Sequence, residues 1–224
     1  MTANLGFNFG DDFEFELSAS ESEAKDASAR SVKVLDLMPT VKKMRLLSDA
    51  ALSDALPWHL EDGHAYHIAT NGEVDGTSII THVLRAQHVY YALVATWCVG
   101  KLDAEVLREM CDKKLIDRLD LYTGEVFKES RHAGFEQLAD VARAGHGRLV
   151  RFKNHAKVAC IYGDRYDVCI ETSANLNVNP RCENVTVTVD TGLCNFWKSF
   201  YDEIPSNNNE FEGWTPWTRE SQTA

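Results

Sequence analysis

RLVRFKNHAKVACIYGDRYDVCIETSANLNVNPRCENVTV, residues 148–187, opens with three β-like segments in a row, at 148–153, 157–162 and 166–172. Gly163-Asp164-Arg165 between the second and third is a hairpin signal, and 184–190 reads as one more strand. Side chains alternate along an extended chain, so His155 and Lys157, two residues apart, project from one face. Ser173 and Asn175 repeat that spacing at the end of the next strand, and the hairpin brings the two pairs together. An imidazole, an ammonium, a hydroxyl and a carboxamide form a set suited to a phosphate. Between 143 and 157 the chain carries five bases (Arg143, Arg148, Arg151, Lys153, Lys157) and no acid, a local charge that attracts anions.

Outward from this stretch the elements alternate in type. A strand is expected over 64–70, a helix around 77–87, and a buried strand within 88–99, which is β-branched and aromatic. Residues 102–115 place Leu102, Val106, Met110 and Leu115 near one face of an amphipathic helix with acids early and lysines late. A strand at 118–124, a helix at 134–145 stopped by Gly145, and a closing helix at 191–204 complete the order. Phe196, Trp197 and Phe200 are expected to pack that last helix into the core. Alternation followed by a hairpin predicts an α/β fold, a mixed sheet flanked by helices.

The chain has 224 residues, 44% of them hydrophobic and 25% charged, as in a globular protein with a real core. Its net charge of −11 is unevenly spread: residues 1–29 hold −6, residues 202–224 hold −4, and the body only −1. A near-neutral body with a basic run is compatible with nucleic acid, whereas a uniformly acidic one would not be. Residues 1–30 read as a disordered acidic tail, 31–204 as the folded domain, and 205–224 as a flexible tail in which Trp214 and Trp217 are candidate anchors. Phe7, Phe9, Phe13 and Phe15 among the N-terminal acids make that tail a candidate docking peptide for a protein partner. With no run of about 18 apolar residues, no membrane insertion is expected. The N-terminus lacks the basic and apolar regions of a signal peptide, so a cytoplasmic location with six reduced cysteines is expected.

The motif region resembles the phospholipase D superfamily, whose signature is His-x-Lys, a following Asp, and Gly-Ser-x-Asn. His155-Ala156-Lys157 matches the first part and Thr172-Ser173-Ala174-Asn175 the last, with Thr in place of Gly. The family's Asp would fall at Tyr162, with Asp164 nearby, and Glu183 follows the Asn as in the superfamily's usual continuation. The resemblance implies a phospholipase D-like fold and a metal-independent phosphodiesterase without cofactor. It implies that His155 attacks phosphorus, that Lys157, Ser173 and Asn175 bind the nonbridging oxygens, and that Glu183 orients the imidazole. Arg148, Arg151, Lys153 and Arg181 are candidate substrate-binding residues.

Only one such motif is present, and the family's chemistry needs two. The chain is therefore similar to short nuclease-type members that pair two motifs by homodimerisation. The basic run favours nucleic acid over lipid. A lipid phosphodiesterase of the same fold, or a noncatalytic module binding nucleic acid or a protein partner, are the alternatives. His59, His64 and His67 with Glu61 and Asp62 match no standard metal spacing and read as a chance cluster. Cys160 and Cys169 read as two buried thiols on neighbouring strands.

Overall fold

The computed structural model describes residues 50–72, 74–125, 132–177, 181–206 and 209–222. The N-terminal tail, with the phenylalanine-rich candidate docking peptide, lies outside the described residues. Four helices and seven strands follow in order: β1 (Ala65–Asn71), α1 (Gly76–Ala86), β2 (Val89–Thr96), α2 (Lys101–Asp112), β3 (Ile116–Gly124), α3 (His132–Ala144), β4 (Leu149–Phe152), β5 (Val158–Gly163), β6 (Asp167–Thr172), β7 (Cys182–Val189) and α4 (Thr191–Asp202). A further helical segment at 50–55 precedes β1.

The strands form one mixed sheet in the order β1-β7-β6-β5-β2-β3-β4. β2, β3 and β4 run parallel, as βαβ crossovers require, while β5, β6, β7 and β1 are antiparallel to their neighbours. The period-2 alternation of β2 splits its side chains between two cores: Ala92 and Val94 join one, Tyr91, Leu93 and Ala95 the other. Against the first face lie α1, α2 and α3, through Ile79, Ile80, Val83, Leu107, Met110, Leu138 and Val141. Against the second lies α4, through Cys194 and Tyr201. The result is a three-layer mixed α/β arrangement.

Two caps fix helix entries here. Asp75 accepts from Ser78 N at 2.7 Å ahead of α1, and Asp190 accepts from Leu193 N at 2.6 Å ahead of α4. α2 ends two residues before Lys114, which turns the chain back at φ 54° towards β3. Cys160 and Cys169 sit directly opposite each other in the β5–β6 pair, buried and unbonded.

Three expectations are corrected. Phe196 and Phe200 do not enter the core; they are 63% and 50% exposed, because α4 turns Cys194 and Tyr201 inward instead. Of that trio only Trp197 is half-buried, its Nε1 donating to Glu171 at 3.2 Å. Arg148 does not face a ligand: it lies at the amino end of β4 and is buried, donating to Tyr122 Oη at 2.8 Å and to the Tyr201 carbonyl at 3.0 Å. The indole of Trp214 covers it, with the guanidinium carbon 3.4 Å from the ring centroid. The basic run at 143–157 is also not a continuous patch, since Arg143 is taken up by Glu210 and Asp140.

The stretch after Pro205 is held by its two tryptophans. Trp217 is buried and stacks on Tyr91, with centroids 4.9 Å apart. Trp214 Nε1 donates to the Asp120 carboxylate at 3.0 Å, which also accepts from Tyr91 Oη at 2.8 Å. Burial pushes the Asp120 carboxyl up, opposed chiefly by the Arg118 charge and these donors.

Candidate phosphate site at the sheet edge

The topology puts the segments that carry His155, Lys157, Ser173, Asn175 and Glu183 at one end of the strands. β2, β3, β4 and β6 end there, at Thr96, Gly124, Phe152 and Thr172, while β5 and β7 begin there. The carboxyl ends of parallel strands are the usual place for a ligand in an open α/β sheet. His155 and Lys157 lie on the short connection between β4 and β5, His155 exposed and Lys157 half-buried. Ser173 and Asn175 follow β6, whose last residue donates Thr172 N–H to the Lys157 carbonyl at 3.1 Å. The β5–β6 hairpin thus sets the Lys157 backbone against that of Thr172, the residue before Ser173.

His155 and Lys157 are in direct contact. Lys157 Nζ donates to His155 Nδ1 at 3.0 Å and to the His155 carbonyl at 2.7 Å. Burial pulls the Lys157 ammonium below the usual lysine range, and the Glu183 carboxylate and Cys98 thiol act the other way. Asn175 Oδ1 lies 3.4 Å from Thr96 Oγ1, at the end of β2. Glu183 departs from its expected role: its carboxylate accepts from the Ser173 hydroxyl, and Lys157 is the partner that holds the imidazole. The reason is local, since Ser173 Oγ also accepts from Asn184 N at 3.1 Å, which fixes the hydroxyl beside the start of β7.

Thr172, which stands where the resemblance expects glycine, ties its side chain to the backbone of β7 and of the following turn. Its Oγ1 donates to the Asn184 carbonyl at 2.9 Å and accepts from Ala174 N at 3.0 Å. Tyr162, at the family's Asp position, is buried in the second core with its hydroxyl on Asn195 at 3.0 Å. Asp164 sits in the β5–β6 turn at the far end of the strand, away from the site.

Of the four candidate substrate-binding residues, three lie near the rim. Lys153 is exposed just before the motif, Arg151 is half-buried on β4, and Arg181 is exposed next to β7. Arg148 is at the opposite edge. Beneath the rim a cavity of about 20 Å³ is lined by Lys157, Thr96, Thr172 and apolar side chains including Ile80 and Leu176. That is room for roughly one water, so a ligand would lie across the open edge rather than in an enclosed pocket.

Sequence reasoning missed the residue that holds the histidine connection in place. Asn154 is buried; its Nδ2 donates to the Thr96 carbonyl at 3.3 Å and the Tyr122 carbonyl at 3.2 Å. Its Oδ1 accepts from Ala156 N at 3.1 Å. One carboxamide thus ties the ends of β2 and β3 to the backbone that carries His155. Its only sequence signal is an asparagine directly before a candidate histidine, where two strands end.

His67 Nδ1 lies 3.2 Å from Thr186 Oγ1 on the neighbouring strand, and His64 is 3.6 Å from Glu61. Among the described residues, no group of three or more His, Cys, Asp or Glu side chains converges as a metal site. No described helix is long and apolar enough to cross a membrane.

The class defined by these observations is a mixed α/β sheet with helices on both faces and a polar rim at its strand ends. No protein-family model matches the chain, and no curated protein does. Among solved structures, polyphosphate kinase from Porphyromonas gingivalis is similar, with a TM-score of 0.50 and 13% identity over 65% of this chain and 27% of that one. TrmBL2, described as an archaeal chromatin protein with a novel mode of DNA binding, has a TM-score of 0.44 and 12% identity over 89% of this chain and 65% of that one. Phosphatidylserine synthase from Haemophilus influenzae has a TM-score of 0.41 and 13% identity over 61% and 37%. The chain spans about a quarter of the kinase's length. At these identities the kinase likeness establishes a shared fold.

Proposed function

We propose that this chain is a metal-independent phosphodiesterase of the phospholipase D type, cleaving nucleic acid as a homodimer. The observation that carries the reading is the placement of His155, Lys157, Ser173 and Asn175 on one open strand-end edge, with His155 and Lys157 3.0 Å apart. The fold shared with polyphosphate kinase supports it. In this reading one imidazole attacks phosphorus, forming a P–N bond as the bond to the leaving oxygen breaks. The second subunit's imidazole gives that oxygen its proton, then takes one from the water that cleaves the P–N bond. Lys157 and Asn175 hold the nonbridging oxygens, joined by Ser173 once its hydroxyl turns from Glu183.

Lys157 Nζ lies within 3.4 Å of both ring nitrogens of His155, so a phosphate oxygen that drew the ammonium away would free the imidazole for attack.

A second reading, a noncatalytic nucleic-acid-binding module, draws on one observation: Glu183 is occupied by Ser173 and does not hold the imidazole. Incubation with labelled single- and double-stranded DNA in EDTA separates the two. Cleavage that persists in chelator is expected, because imidazole and ammonium supply the nucleophile and the charge neutralisation a metal would. Binding without cleavage supports the module, and strict dependence on Mg²⁺ or Zn²⁺ contradicts the phospholipase D-type mechanism.

A further inference from the structure

Beside the proposed phosphate position stands an aromatic residue to which the mechanism gives no task. Trp97 follows β2 directly and is 39% exposed, with its ring centroid 5.9 Å from that of His155 and the planes at 41°. It is firmly backed. Gly124, at the end of β3, donates its N–H to the Trp97 carbonyl at 3.2 Å. A Cβ at Gly124 would fall 2.5 Å from Trp97 Cδ1 and 3.0 Å from Nε1, so the indole occupies space that only glycine leaves open. A large apolar ring fixed on a strand end, open to solvent, within ring-contact distance of the candidate nucleophile, is a built platform.

We propose that Trp97 stacks the nucleobase flanking the scissile phosphate, making unpaired nucleic acid the substrate class; this rests on the phosphodiesterase reading above. Every base has a π-face, so an indole accepts any base and confers little sequence preference. In a duplex both faces of each base are covered by neighbours, so the platform is reached only by a strand whose bases are unstacked. The exposed cations at the same ends of the strands, Lys153 after β4 and Arg181 before β7, would follow the backbone while Trp97 takes the base. A merely structural Trp97, packing His155, would serve every phosphodiester equally.

That difference is the test. kcat/KM is measured in EDTA for wild type, Trp97→Ala and Trp97→Phe on two substrates of equal length. One is single-stranded oligothymidylate; the other has the same backbone with tetrahydrofuran in place of every nucleoside. The fall caused by Trp97→Ala is expected to be about 10- to 100-fold larger on oligothymidylate than on the baseless strand, the size of one lost base stack. Trp97→Phe, which keeps a smaller π-face, should recover part of that difference. Equal losses on both strands, or none on either, overturn the platform while leaving the phosphodiesterase standing. If wild type cleaves neither strand but does cleave a duplex of the same length, the platform fails alone; if it cleaves none of the three, the phosphodiesterase reading fails and the platform with it.

Discussion

His155→Ala is expected to lower cleavage of single-stranded DNA by on the order of 10⁴-fold, since both chemical steps of the proposed mechanism pass through this imidazole. The substitution should leave the fold intact, because His155 lies exposed at the rim and Asn154, not His155, ties the connection to Thr96 and Tyr122. DNA binding by fluorescence anisotropy should weaken less than about tenfold, as Lys157 and the rim cations keep their charges. A variant that retains more than a few per cent of wild-type activity would place the nucleophile elsewhere.

The second large effect concerns stability rather than chemistry. Arg148→Ala removes a buried guanidinium that satisfies Tyr122 Oη and the Tyr201 and Asp202 carbonyls and carries the Trp214 indole. The lost hydrogen bonds and the hole beneath Trp214 together should cost about 3–5 kcal/mol. For a domain of this size that is a fall in Tm of about 10 °C. Arg148→Lys should recover little, since an ammonium cannot reproduce the planar fork or its stacking on the indole. Thermal unfolding followed by tryptophan fluorescence reads both variants. A change within 1–2 °C for Arg148→Ala would show that the C-terminal segment does not depend on this contact.

The element order was legible because its signals are local. The β-branched run before Trp97, the amphipathic 102–115 stretch and the Gly163-Asp164-Arg165 turn each fix one element, and the observed β2, α2 and β5–β6 hairpin fall within a few residues of them. The four motif residues fall in the connections beside β5 and β6 rather than on the strands, so their spacing located the segment without fixing the side-chain arrangement. What sequence did not reveal depends on partners distant in the chain. Arg148 belongs by composition to a basic run, yet its position at the opposite end of β4 from the motif sends it to Tyr122 and Trp214, the latter 66 residues away by number. Phe196 and Phe200 look like core on hydrophobicity alone, but the helix phase set by Cys194 and Tyr201 turns them out. Asn154 and Trp97 acquire their roles only where strands β2, β3 and β4 end side by side. Leu52, Leu56 and Leu60, four apart, are all core residues, a helical spacing too short on its own to stand out from the flanking polar sequence.

In the proposed mechanism a single His-x-Lys motif makes this chain half of a catalytic site, and the mixing of subunits tests that directly. Wild type and His155→Ala are unfolded together in varied proportion, refolded so that subunits pair at random, and assayed for cleavage in EDTA. A dimer with one altered subunit lacks either the nucleophile or the acid, so only doubly wild-type pairs work. Activity should follow the square of the wild-type fraction, leaving about a quarter in an equal mixture. A linear fall, leaving about half, would mean that each chain carries a complete site of its own and would contradict the shared mechanism.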